Sequence, residues 1–250
     1  MVRFGGPLVA SFDSMGRDPE IYAQVHVDRG YRSAVAPSGL SPDDSDTIAG
    51  LRAAFERRDV VIAEVGIFNN MLDPDLTVRT AARDAVLKGL QVAEMLGAHC
   101  FVGILGTFGS GLCRNAHVAR NFSEDAFDAA VELARYFIDE VQPRKTCFAF
   151  ESFPFNVIDS PESMAALVDA VDRERYAAHM DLVNLINTPR KYFSSGEVAR
   201  ECVRLCGDRI VSAHAKDIRA VVPSISVMLE EVVPGRGNLD IAAYLQALDS

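Results

Sequence analysis

At 250 residues, with hydrophobic side chains at 49% and a formal net charge of −10, the chain is long enough for one α/β barrel and apolar enough to bury a large core. The 35 acidic against 25 basic side chains repel a phosphate backbone, which argues against a nucleic-acid partner. Five cysteines (Cys100, Cys113, Cys147, Cys202 and Cys206) form no CxxC pair, and neither an apolar signal segment nor the roughly 20 apolar residues that span a bilayer occur, so a cytoplasmic protein without membrane contact is expected.

In chain order, short apolar runs bounded by turn residues alternate with stretches of helical period, the pattern of βα units around a parallel sheet. Strands are predicted over residues 8–12, 33–36, 60–65, 99–105, 146–151, 176–181 and 209–214, each nearly continuous in apolar character and so buried on both faces. Between them, Asp46 precedes the helical positions Leu51, Ala54 and Phe55, and Ala82, Val86, Ala93 and Leu96 give the next helix its stripe. Ser123 is placed to cap a helix with Phe127, Val131, Ala134, Ile138 and Val141 inward, and Ser160-Pro161 is an N-cap followed by proline at the first helical position. Ser195 precedes Val198, Cys202 and Leu205 at helical spacing, and a last helix is expected over residues 239–248.

A doubly wound sheet shares this alternation, but its Gly-rich turn after the first strand is missing from Ser11-Phe12-Asp13-Ser14-Met15-Gly16. No linker divides the chain, so one barrel domain over residues 1–250 is expected. An eight-stranded barrel needs one strand more than the runs supply. The barrel is therefore expected to be C-terminally incomplete, lacking its eighth strand, with a gap that another copy in a homo-oligomer would cover or that would cost stability.

Three predicted strands finish on a metal-competent side chain: Phe150-Glu151, Met180-Asp181 and Ala213-His214. A parallel barrel gathers strand C-termini at one rim, where its active sites lie. Two carboxylates there cost on the order of several kcal/mol per ion unless a cation compensates. Two hard oxygens with one imidazole favour Mn²⁺ or Mg²⁺, with Zn²⁺ or Co²⁺ as alternatives. His179, two residues before Asp181, points the same way one layer deeper and is expected to be a buried neutral histidine.

Ala63-Glu64-Val65-Gly66 with Asn69-Asn70, Ala93-Glu94-Met95-Leu96-Gly97-Ala98, Phe150-Glu151, His179-Met180-Asp181-Leu182-Val183-Asn184-Leu185, His214-Ala215-Lys216-Asp217 and Pro234-Gly235-Arg236-Gly237-Asn238-Leu239-Asp240 follow one another along the chain. In their order this sequence resembles the xylose-isomerase-like barrel superfamily of sugar phosphate isomerases and epimerases. The resemblance implies one divalent metal held by Glu, Asp, His and a second Glu. Glu151, Asp181 and His214 match the first three. Asn184 stands where several epimerases and the apurinic endonuclease branch carry a histidine.

The function expected is metal-dependent isomerisation or epimerisation of a sugar, sugar acid or cyclic polyol through enediolate chemistry. Glu151 would serve as ligand and general acid or base, Asp181 and His214 as ligands, and Lys216 as an electrophilic helper. Glu64, Asn69, Asn115, Asn184, Asp217 and Arg236 are the expected substrate contacts, with Asn115 and Arg236 delivered by loops; residues 106–115 form a glycine-rich lid. The alternatives are a polyol dehydratase and a phosphodiester hydrolase of the apurinic endonuclease type. Against the hydrolase count the 5 histidines and the charge of −10.

Overall fold

The computed structural model describes residues 2–8, 10–109 and 116–250. Strands β1 (Ser33–Val35), β2 (Val61–Ile67), β3 (Cys100–Gly103) and β4 (Cys147–Phe150) pair in parallel and in sequence order. β5 (Ala178–Asp181) pairs in parallel with β6 (Ile210–His214). The two groups are joined through the bridges Phe148 to Tyr176 and Glu151 to His179, so the curved wall runs from β1 to β6. β7 (Asp217–Ala220) and β8 (Leu229–Val232) form an antiparallel hairpin beyond the rim.

Helices α1 (Pro19–Asp28), α2 (Ser45–Glu56), α3 (Leu76–Leu96), α4 (Glu124–Val141) and α5 (Pro161–Val171) form the outer layer with α8 (Ser195–Cys206) and α9 (Ile241–Leu248). The short α6 (Leu182–Leu185) and α7 (Pro189–Phe193) connect β5 to α8. Ser123 caps α4 and Ser160 caps α5 within a capping box, as their sequence positions predict. Helix α8 starts at Ser195 with Ser194 at its N-cap position. Buried Phe101, Phe137 and Phe148 lock sheet to helices, each side chain contributing about 1.5–3 kcal/mol of burial. Among the described residues no helix is long and apolar enough to cross a membrane.

The predicted first strand is corrected. Phe12 adopts right-handed helical dihedrals at the start of a 3-10 turn, and its ring packs edge-on against Tyr22, with centroids 5.1 Å apart. Among the described residues of 8–12 none lies in a strand, and Phe12 is buried against α1. The first position in the wall belongs to Phe4 and Gly5: Gly5 bridges Ser33, and the Phe4 carbonyl accepts from the Arg32 and Ser33 amides at 2.8 and 3.0 Å. Among the described residues β6 pairs only with β5, and no closed barrel forms.

Several contacts set the rim. Asn70 ties the loop after β2 to the loop after β3, its Oδ1 accepting from the Leu72 and Thr107 amides at 3.1 and 2.8 Å. A Cβ at Gly106 would lie 2.1 Å from that same Oδ1, and φ there is +91°, so this crossing requires glycine. At the opposite end of the strands, Glu94 of α3 caps the start of β4, accepting from the Lys145 and Thr146 amides at 3.0 Å each. Tyr244 of α9 donates to the Met180 and His214 carbonyls at 3.1 and 2.9 Å, which pins the last helix to the ends of β5 and β6.

Candidate metal centre

Adjacent parallel strands with matched register place Asp181 opposite His214, while Glu151 bridges His179 next door. The three side chains converge at the C-terminal rim as parallel topology dictates. His214 Nδ1 lies 3.4 Å from Glu151 Oε1 and 3.6 Å from Asp181 Oδ2. Glu151 is 5% exposed and Asp181 0%. His214 Nδ1 is buried without a hydrogen-bond partner. Two buried carboxylates and an unpartnered imidazole nitrogen facing both are a donor set that fits a divalent ion.

The other side of the ring is held. His214 Nε2 lies 2.8 Å from Glu64 Oε1, and Ser212 donates to Glu64 Oε2 at 2.8 Å. Glu64 is thus buried behind the imidazole, positioning it, and not out among substrate hydroxyls. Burial opposes its charge, but the facing His179 and His214 hold its carboxyl well below the usual range. Burial likewise opposes charge on Asp181, yet the facing His214 and the Lys216 ammonium keep it ionised well below that range. For His214 itself burial works against the proton, and the carboxylates of Asp181, Glu151 and Glu64 prevail, so its pKa is pushed up to about 11.

Lys216 lies in the same cluster, its Nζ 2.7 Å from Asp181 Oδ2 and 3.8 Å from Glu151 Oε1. Asn184 donates through Nδ2 to Glu151 Oε1 at 3.2 Å and to Asp181 Oδ2 at 3.0 Å. Its amide therefore orders the carboxylates. Glu151 also lines a small cleft with Ile104, Leu105, Gly106, Phe153 and Phe155. His117, which carries no telling signal in sequence, stacks on Phe155, a residue of that cleft, with ring centroids 3.5 Å apart.

Asp217 is a correction. It is 1% exposed, and its carboxylate accepts from the amides of Ile218, Gly235, Gly237 and Leu239 at 2.9, 2.9, 2.7 and 3.1 Å. It ties β7 to the loop after β8 and has no face left for a substrate. Asn69 and Arg236 are exposed on the loops after β2 and β8, outside the cluster. Asn115 lies outside the described residues, as does most of the glycine-rich loop.

An open parallel barrel with carboxylate and imidazole donors gathered at one rim defines a metal-competent α/β barrel. Residues 24–250 match the family described as xylose isomerase-like TIM barrel, and the chain belongs to that family. Its fold is similar to L-ribulose 3-epimerase, at 15% identity and a TM-score of 0.68, covering 100% of this chain and 77% of that one. It is also similar to D-psicose 3-epimerase solved with D-fructose, at 15% identity and TM-score 0.66 over 96% and 76% of the two chains. A third likeness is to the IOLI protein with a binding zinc atom, at 15% identity and TM-score 0.61 over 92% and 78%. Among curated proteins none matches the sequence.

Proposed function

We propose that the protein is a divalent-metal-dependent isomerase or epimerase of a small polyhydroxy substrate. The observation that carries this reading is the convergence of Glu151, Asp181 and the unpartnered Nδ1 of His214 beside the Lys216 ammonium. Family membership and the epimerases among the similar folds support it. Glu151, Asp181 and His214 would hold the ion, Mn²⁺ or Mg²⁺ by donor type, with Zn²⁺ or Co²⁺ as alternatives. When bound, such an ion supplies Lewis-acid polarisation of a substrate carbonyl.

The chain's own groups do the rest. Glu151 stands at the rim beside Asp181 and the Lys216 ammonium, and its carboxylate would take a proton from the carbon next to a carbonyl and return it. Lys216 brings a fixed positive charge to where oxygen charge develops. Asn184 keeps the two carboxylates in place through both hydrogen bonds.

The test is proton exchange. The Mn²⁺-loaded chain is incubated in deuterated water with aldoses, ketoses and inositol derivatives and followed by proton NMR. Loss of the signal next to the carbonyl, with appearance of the epimer or isomer, is expected. A loaded protein that exchanges no carbon-bound proton in any of them would refute the assignment, and release of water from an inositol derivative would move it to the dehydratases.

A further inference from the structure

One layer below Glu151 and Asp181, the barrel interior holds polar groups where a core would ordinarily be apolar. Glu64 of β2 and His179 of β5 are 6% and 0% exposed. Both ring nitrogens of His179 are buried without a hydrogen-bond partner. Its Nε2 lies 3.5 Å from Glu64 Oε2, too long for a good N–H···O bond. A buried imidazole with two unpaired nitrogens is costly unless something occupies them. The ring of His214 stands edge-on to it, centroids 4.3 Å apart. One oxygen of Glu64 and one nitrogen each of His179 and His214 all lie within 4.8 Å of one another.

The geometry points to a second cation site, formed by Glu64, His179 and His214 Nε2, that excludes occupation of the rim site. The exclusion, though not the deeper site itself, rests on the rim reading above. A neutral imidazole has a single lone pair in the ring plane. With the ion at the rim, His214 binds through Nδ1 and its Nε2–H donates to Glu64 Oε1, 2.8 Å away. With the ion below, Nε2 is the ligand and Nδ1–H faces Glu151 and Asp181 at 3.4 and 3.6 Å. Each tautomer finds a carboxylate on its free side, so the ring serves either site but not both.

Donor chemistry separates the two. Two imidazoles and one carboxylate suit Zn²⁺ or Co²⁺, whereas two carboxylates and one imidazole suit Mn²⁺ or Mg²⁺. A borderline ion in the lower site would take His214 away from the rim and silence it. Zn²⁺ is thus expected to inhibit where Mn²⁺ activates.

Zn²⁺ and Mn²⁺ are titrated separately, and against each other, into the metal-stripped full chain and into His179→Gln and Asp181→Asn, with circular dichroism to confirm folding. His179→Gln should weaken Zn²⁺ binding more than about tenfold and leave Mn²⁺ affinity unchanged, since removing only an outer partner already costs 10–100-fold. Asp181→Asn should do the reverse. Zn²⁺ affinity untouched in folded His179→Gln, Zn²⁺ binding lost in Asp181→Asn, or both ions bound at once by the native chain would each overturn the proposal. If His179→Gln does not fold, Zn²⁺ retention by Asp181→Asn decides. Zn²⁺ binding that depends on His179 with no Mn²⁺ binding anywhere would leave the lower site standing and remove the rim assignment.

Discussion

Glu64→Gln isolates what holds the metal-binding imidazole in place. Glu64 accepts from His214 Nε2 at 2.8 Å and from Ser212 at 2.8 Å, and its carboxyl is held ionised by the two histidines that face it. When an ion displaces the Nδ1 proton, the anion keeps the remaining proton on Nε2 and leaves Nδ1 aimed toward Glu151 and Asp181. Glutamine keeps the volume but loses the charge, and its NH₂ group can meet Nε2 in place of the oxygen. A hydrogen bond to a charged partner contributes about 1.5–3 kcal/mol, which is roughly a 10- to 100-fold loss of Mn²⁺ affinity. Calorimetric titration of Mn²⁺ into the metal-stripped variant measures it, with Ser212→Ala as the control that removes one hydrogen bond to the Glu64 carboxylate but leaves its charge and its contact with Nε2, and so should weaken Mn²⁺ less than Glu64→Gln does. A folded Glu64→Gln that binds Mn²⁺ as tightly as the native chain would show that packing, and not this carboxylate, orients the ring.

Lys216→Met should retain the ion and lower kcat about 100-fold or more, because it removes a charge near the reacting oxygens while leaving the proposed ligands Glu151, Asp181 and His214 in the chain; unchanged kcat would make Lys216 structural. Mn²⁺ uptake should release a proton, because His214 is an imidazolium up to about pH 11 in the metal-free site. Affinity should then climb about tenfold per pH unit below that value, and calorimetry in buffers of different ionisation enthalpy counts the proton. Asp217→Ala strands amides that now donate to it, at a cost of about 2–3 kcal/mol, which should lower Tm by roughly 4–10 °C. A Tm within a degree or so of native would mean that water replaces the carboxylate.

Two central strands are legible in sequence because their burial is two-sided. Residues 99–105 and 146–151 are apolar on both faces because helices cover one and the barrel interior the other, and β3 and β4 lie within them. Residues 8–12 imitate that signal because Phe12 packs against Tyr22, while the true first position, at Gly5, carries almost none. Glycine is needed there since a Cβ would fall 2.1 Å from the Ser33 carbonyl oxygen. The β7–β8 hairpin escapes for the opposite reason, since Arg219, Glu230 and Glu231 are exposed and leave no apolar stripe to read. At the rim, strand-end position is enough to bring Glu151, Asp181 and His214 together. Adjacency to Lys216 misled for Asp217, because β7 begins there and its carboxylate turns into the loop amides. The contact from Glu64 to His214 joins residues 150 positions apart, and nothing local announces it.

The charges of the cluster bear on which substrate it takes. Glu64, Glu151 and Asp181 surround His214 and Lys216. With His214 as imidazolium, three carboxylates against two cations leave one net negative charge. A doubly charged ion that displaces the imidazolium proton brings the cluster to neutrality. No positive surplus remains to hold a phosphate or carboxylate, and Arg236 stands exposed on a loop away from the cluster. A free ketose should therefore be turned over with higher kcat/KM than its phosphate ester, and its kcat/KM should change little with ionic strength, because no long-range attraction steers a neutral ligand. Measuring both substrates at low and high salt decides the matter. Preference for the ester, with kcat/KM falling as salt rises, would require a cation that the rim cluster does not supply and would refute the balance of charges set out here.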